Sequence, residues 1–342
     1  MTTQFIVSDQ TNPYLNLAVE QYLLNKELDS KVILYLWKNR RTVVIGRNQN
    51  PYGEVDLEAL AADGGYLMRR KTGGGAVYHD DGNQNFTFVA PKALYDQLRQ
   101  FGVIQRAVES YGLHTELSGR NDILVDSSPA CGRNPGNLEN DSLDDFAKRE
   151  NYKRKFSGNA FSKGLTNNLH HGTILISGNM ADLQRYLKPK PAKLMKHGVD
   201  SVRSRVVNLA ELDNSITTES ITVRLLEAFE QIYGSKAEVV DFKEIVSRPE
   251  VERLYKELSS DEWLYGGWQS FDAQRSAQFD WGGVEVSLSI DNGVIKDVKI
   301  ASDALDVESI EQACNLLRGA SQAEPPMAVD NVVVKDIVSL VF

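Results

Sequence analysis

The sequence predicts an α+β fold: a large mixed β-sheet with helices packed on it, followed by a second, smaller α+β domain. Three observations predict this. Short β-rich runs recur through the first half of the chain, stretches of helical periodicity lie near 92–110, 180–187 and 217–233, and a hairpin followed by one more helix comes after a charged segment.

Taken in order, Asn12 and Pro13 form a cap and a first-turn proline. Leu15, Ala18, Val19, Tyr22 and Leu23 then fall on one face at helical spacing, which predicts an early amphipathic helix. "VILYLW" at 32–37 and "TVVIG" at 42–46 are short β-rich runs split by "KNRR". "GYLMRR" and "GAVYH" flank three glycines, so the segment reads as strand, turn, strand. Further strands are expected at "NFTFVA", "DILVD", "KFSGNAF" and "HGTILIS". From about 243 to 262 the chain turns charged and poor in β-branched residues, which marks a domain boundary. Beyond it "FDWGGVEVSLSIDNGVIKDVKI" predicts a hairpin around Asn292-Gly293, with a helix at about 306–318. The expected domains are 1–243 and 252–342. The segment 127–152 is rich in Ser, Pro, Gly, Asn and Asp, without periodicity, and is long for a strand connection.

Composition excludes several classes. A formal net charge of −9 argues against a general nucleic-acid binder, so any anion site must be local. Cys131 and Cys314 lie far apart and outside any metal-like spacing, which argues against a disulfide framework or zinc site and for a reducing compartment. The N-terminus has no basic start with a long apolar core, and no apolar run approaches a membrane span. A cytoplasmic protein, acting as a monomer without membrane or nucleic acid, is expected.

The stretch that asks for chemistry is "RRKTGGGAVYHD", residues 69–80. No GxxxxGK[ST] loop is present, nor a GxGxxG between strand and helix. Side-chain-free residues let a ligand reach the main chain, and successive N–H groups in such turns form anion-binding concavities. A purely structural turn is the competing reading. Three cations, Arg69, Arg70 and Lys71, precede the glycines, and a solvated edge is an open alternative for one or two of them.

"GRNDILV" at 119–125, "KFSGNAF" at 155–161, "HHGTILI" at 170–176 and "HGVDSVRSRVVNL" at 197–209 each set a glycine or small residue beside a polar or cationic group in a β-like run. With "RRKTGGGAVYHD" they resemble, in order and type, the lipoate-protein ligase A family. The resemblance covers roughly residues 1–240. The hairpin "FDWGGVEV...NGVI" with "SDAL" at 302–305 resembles that family's accessory C-terminal domain. It implies a biotin/lipoyl ligase-type catalytic domain, similar to class II synthetases, that uses ATP and Mg²⁺ to turn lipoate or octanoate into an acyl-adenylate. The acyl group then passes to a lysine of a lipoyl carrier domain, on a 2-oxoacid dehydrogenase E2 subunit or the glycine cleavage H protein.

By the same resemblance Lys155 is the catalytic cation, bridging the acyl carbonyl and the α-phosphate. Arg70 would hold the acyl end or phosphate, with Thr72, Gly73, Gly74, Gly75, Ala76 and Val77 lying along the adenylate. His79 and His171 would line its pocket, together with Ser157, Gly158, Ala160, Gly172 and Thr173. Asn121 and Asp122 would face adenine, ribose or a metal, with Asp122 the metal ligand; turn chemistry is the competing reading of Asp122. Between Arg185 and Arg205 seven cations stand against a single acid, Asp200, a patch suited to an acidic carrier or to phosphates.

Three rivals stay in view. A cysteine acyltransferase of the same fold would need Cys131 as its nucleophile and no ATP. A biotin ligase would carry a glycine-arginine motif that this chain lacks. A non-catalytic lipoyl-binding protein would not need Lys155. The segment 127–152 departs from the family, where a short turn joins the same two strands; a mobile excursion is expected over a lid.

Overall fold

The computed structural model describes residues 1–119, 121–128, 152–188, 206–266, 271–321, 324–327 and 330–342. Cys131, nearly all of the 127–152 segment and the basic run beyond Lys188 lie outside the described residues. By contacts the chain divides into two compact units that are not contiguous in sequence. One comprises Met1–Thr42, His79–Asp182 and Pro189–Tyr255; the other comprises Val43–Tyr78, Leu183–Lys188 and Lys256–Phe342.

The first unit is built on an eight-stranded mixed sheet. Its spatial order is β11 (Ala237–Val239), β1 (Thr2–Val7), β2 (Lys31–Trp37), β6 (Asn83–Pro91), β10 (Asn167–Leu175), β9 (Lys153–Lys163), β8 (Asp122–Asp126) and β7 (Thr115–Ser118). β1 runs parallel to both β11 and β2, and the remaining pairs are antiparallel. Because side chains alternate along a strand, the register sorts residues onto two faces. One face carries Leu34, Phe86, Phe88, Ile123, Phe156 and Ile174 against two helices, Gln97–Glu109 and Thr218–Tyr233, and this is the main core. The opposite face carries Tyr35, Thr87 and His171, which pair in register or follow from it.

That opposite face is covered in part by the helix Pro13–Asn25, whose start is fixed as expected: the Asn12 side chain accepts from the backbone of Tyr14 and Leu15. The helix is not amphipathic. Asn16, Glu20 and Gln21 are buried along with Leu17, Ala18, Val19 and Leu23, while Leu15 and Tyr22 are only partly covered. It tolerates buried polar groups because they have partners: Asn16 accepts from the Tyr35 hydroxyl and donates to the Lys38 carbonyl.

In the second unit, β4 (Tyr66–Arg69) and β5 (Val77–His79) both pair with β3 (Thr42–Ile45), in the order β4-β3-β5. The expected strand, turn, strand reading is therefore corrected. The glycines do not close a hairpin between β4 and β5; they carry the chain from one edge of β3 to the other. The hairpin expected at Asn292-Gly293 forms between β13 (Gly282–Asp291) and β14 (Val294–Ser302), with both turn residues at positive φ, as a type I′ turn requires. With β12 (Ala273–Phe279) and the helices Val307–Leu317 and Val332–Val341 it encloses a small apolar core of its own. No helix among the described residues is long and apolar enough to cross a membrane.

Candidate active site

The sheet face away from the core gathers most of the predicted residues of the first unit. The pairing of β8 with β9 slips between Ile123 and Leu124, so that β9 spends one extra residue, Phe156, between Lys155 and Ser157. A bulge of this kind re-aims side chains. Phe156 enters the core, and Lys155 comes onto the same face as Gly158 instead of alternating away from it. The Lys155 ammonium sits 2.7 Å from Asp122 Oδ1, both side chains about one-third exposed. A Cβ at Gly158 would lie 3.0 Å from Lys155 Nζ, so the missing side chain is what lets the lysine lie flat across the strand. Ala160 and His171 are register partners on this face, and the Thr173 hydroxyl accepts from the Gly158 amide at 3.2 Å.

His171 is held by a carboxylate on the first helix. Its Nδ1 lies 2.8 Å from Glu20 Oε2, and the same oxygen accepts from Thr87, whose hydroxyl in turn accepts from the Trp37 indole. A carboxylate in the middle of "NLAVEQYLLN" is the signal that could have found it. His79 is buried rather than exposed to a ligand: its Nδ1 is 3.3 Å from the Asn39 amide, and its ring meets the edge of Trp37.

Three predicted residues sit elsewhere. Ser157 and Gly172 belong to the core face. A Cβ at Gly172 would meet Asn159 Oδ1 at 2.6 Å and Phe86 Cζ at 2.6 Å, so its glycine is required by packing. Asn121 spends its amide on the Asn159 carbonyl at 2.8 Å, while its own carbonyl accepts from the Asn159 backbone and side chain. Asp122 is a single carboxylate already engaged by a lysine. Among the described residues no three metal-ligating side chains converge, so the donor set does not amount to a protein-built cation site.

The glycine loop in the second unit is shaped from inside. Arg70 is buried, and its guanidinium donates to the carbonyls of Gly73 and Gly75, to the Val44 carbonyl and to the Thr72 hydroxyl. The three glycines differ in why they are glycine. Gly73 packs against the backbone of Ala304 and Leu305, where a Cβ would collide. Gly74 adopts φ +94°, and its amide donates to the Ala304 carbonyl. Around Gly75 a Cβ would meet nothing, and the residue is exposed within a loop that Ala76 and Val77 continue. Of the three, Gly75 alone has open space where a side chain would stand.

Of the preceding cations, Arg69 and Arg70 are not a solvated edge, whereas Lys71 is partly exposed. Arg69 is buried and donates to the carbonyls of Gly46, Arg47, Gln49, Trp263 and Leu264; burial, with Arg47 nearby, lowers its pKa to about 10. Lys71 pairs with Glu257 at 2.7 Å and lies over the Trp263 ring. Of the predicted basic run, the described part holds Arg185, which pairs with Asp63, and Lys188, which donates to the Tyr52 carbonyl.

The chain is an enzyme of the ligase class. Residues 12–230 match the lipoyl protein ligase A/B catalytic domain, and residues 269–326 match the bacterial lipoate protein ligase C-terminus. It is 37% identical over 315 residues to a lipoate-protein ligase A of Bdellovibrio bacteriovorus, covering 92% of this chain and 86% of that one. It is 36% identical over 318 residues to that of Psychrobacter cryohalolentis, covering 91% and 86%. Among solved structures, LipL1 of P. falciparum in complex with lipoate superposes with a TM-score of 0.80 at 29% identity, covering 98% of each chain. The chain belongs to the lipoate-protein ligase A family.

Proposed function

We propose that this ligase joins lipoate, or its precursor-length analogue octanoate, to a lysine of a lipoyl carrier domain in two steps driven by ATP. The observation that carries the reading is the Lys155–Asp122 pair: an ammonium laid across Gly158, one-third open, on the sheet face that does not serve the core.

In the first step an oxygen of the acyl carboxylate attacks the α-phosphorus of ATP, and the bond from that phosphorus to the bridging oxygen of pyrophosphate breaks. Two anions meet, and charge grows on the phosphate oxygens. A fixed cation is the remedy, because a donor already in place needs no reorganisation as charge develops. Asp122, 2.7 Å away, orients the Lys155 ammonium beforehand. In the second step the neutral amine of the carrier lysine attacks the acyl carbon, the C–O bond to AMP breaks, an amide forms and the amine's proton is lost. Lys155 faces the carbonyl oxygen as negative charge passes through it. His171, with Nδ1 directed to Glu20, has its ring plane fixed on the same face. Mg²⁺ would arrive on the nucleotide's phosphates and supply charge neutralisation there. In its own unit, the Gly75 backbone offers an acyl chain or anion a place to lie.

A thioester mechanism finds no support in the described residues. Burial raises the Cys314 thiol to about 11, which leaves little thiolate at neutral pH. The test is lipoate-dependent ATP–pyrophosphate exchange, followed by mass spectrometry of carrier domains incubated with ATP, Mg²⁺ and each acid. Exchange with a matching mass gain on the carrier is expected. Acylation from an acylated carrier without ATP would overturn the reading.

A further inference from the structure

His170 lies behind the site and touches nothing that reacts. It is fully buried, with the rings of Phe101 and Phe161 at 4.7 and 4.8 Å and those of Phe86 and Phe88 at 5.5 and 5.9 Å. An apolar cage of this kind is better filled by an apolar side chain, since a buried imidazole costs free energy unless both nitrogens are bonded. Both are: Nε2 stands 2.9 Å from Asn159 Oδ1, and Nδ1 stands 3.1 Å from the Gln100 carboxamide.

The direction of these bonds follows from counting donors. Burial, and to a lesser degree the neighbouring His171, holds His170 well below its ordinary range, so the ring is neutral and offers one donor and one acceptor. Asn159 cannot turn over, because its Nδ2 donates to the Asn121 carbonyl at 2.9 Å. Its Oδ1 therefore faces His170, and Nε2 carries the proton. Nδ1 must then accept, which requires the amide nitrogen of Gln100 rather than its oxygen to face it. Exchanging the two ends of that carboxamide has a second effect. As placed, Gln100 Nε2 is buried without a hydrogen-bond partner among the described residues, and the exchange gives it one in His170 Nδ1.

We propose that His170 is a positioning residue for the Asp122–Lys155 pair, acting through Asn159 on the turn at Asn121. Asn159 and Asn121 are joined by three hydrogen bonds: backbone N–H to the Asn121 carbonyl, side chain to the same carbonyl, and the Asn121 amide back to the Asn159 carbonyl. Asp122 is the next residue, and it is the one that holds Lys155. The glycine at 172 leaves room for the Asn159 amide in this pose. The relay rests on the reading of Lys155 given above.

His170→Phe fills the cage without a donor, and His170→Gln keeps an N–H. The expected result is a kcat for pyrophosphate exchange about tenfold lower in His170→Phe, with KM for ATP little changed, and a rate mostly recovered in His170→Gln. Asn159→Ala gives the same loss, and the double variant His170→Phe/Asn159→Ala is no slower than either single one, because a single relay is broken only once. Losses that multiply, or a His170→Gln as slow as His170→Phe, overturn the relay. Nitrogen-15 NMR of the unaltered protein gives a test that needs no variant to fold: a neutral Nε2–H ring that does not titrate between about pH 5 and 8 is expected, and an Nδ1–H or titrating ring overturns it. If Lys155→Ala keeps full exchange, both the Lys155 reading and the relay fall. If Lys155→Ala is inactive while His170→Phe keeps its rate, only the relay falls.

Discussion

Gly158 and Gly172 stand on neighbouring strands, on opposite faces of one sheet, and alanine at each should separate activity from stability. At Gly158 the added methyl meets the end of a flexible side chain, Lys155 Nζ at 3.0 Å and Cε at 3.1 Å. The lysine can yield by a few tenths of an ångström, and loss of unfolded-state freedom offsets the strain by about 0.4–1 kcal/mol. Stability should change by less than about 1 kcal/mol. Activity should not be spared, because displacing a preorganised cation by a fraction of an ångström and filling its cradle costs roughly tenfold to a hundredfold. At Gly172 the methyl meets Asn159 Oδ1 at 2.6 Å, Phe86 Cζ at 2.6 Å and the Gly158 carbonyl at 2.8 Å. These are nearly an ångström inside ordinary contact, and they belong to backbone and core. Overpacking of this kind costs about 1–3 kcal/mol. The assay is the guanidinium midpoint of each variant set beside its initial rate of lipoate-dependent pyrophosphate exchange. The reasoning is refuted by a Gly158→Ala enzyme with full exchange, or by a Gly158→Ala protein destabilised as much as Gly172→Ala.

Three further predictions follow from other parts of the molecule. Lys155→Ala should slow adenylation by on the order of 10²-fold with an unchanged thermal transition, measured by the same exchange, while Lys71→Ala, which removes a surface pair with Glu257, should slow it far less. Arg69→Met should lower stability by at least about 3 kcal/mol in denaturant titrations, since five carbonyls lose a charged donor, and Arg69→Lys should recover only part because an ammonium lacks the fork. Cys314 gives a pH signature: its thiol is raised from 9.0 to about 11 in the fold, so the unfolded chain releases that proton first. Stability is therefore whole below about pH 9, falls as pH rises above it and levels beyond about 11; denaturant midpoints across that range should fall less steeply in Cys314→Ala.

What could be read from the sequence was local chemistry, and what could not was which residue meets which. Asn12 with Pro13 started a helix and Asn292 with Gly293 turned a hairpin, because each acts on its own backbone. Glu20 broke the amphipathic reading of the same helix, since its partners, His171 and Thr87, come from strands far along the chain. The glycine run announced bare backbone but not that its flanking strands join β3 instead of each other. Charge misled in a similar way. Arg69 and Arg70 look like solvent-facing cations until the carbonyls that converge on them are in view, and then they become the scaffold of the loop. The family resemblance singles out Lys155, yet the face it occupies depends on one extra residue in β9, which periodicity alone places on the wrong side. A strict alternation would set Lys155 beside Ser157, on the core face; the bulge at Phe156 sets it beside Gly158 and Asp122. The placement of Lys155 on this sheet is thus set by an irregularity, and Asn159 and His170, hydrogen-bonded in sequence behind Asn121 and Asp122, are residues whose partners no local pattern names.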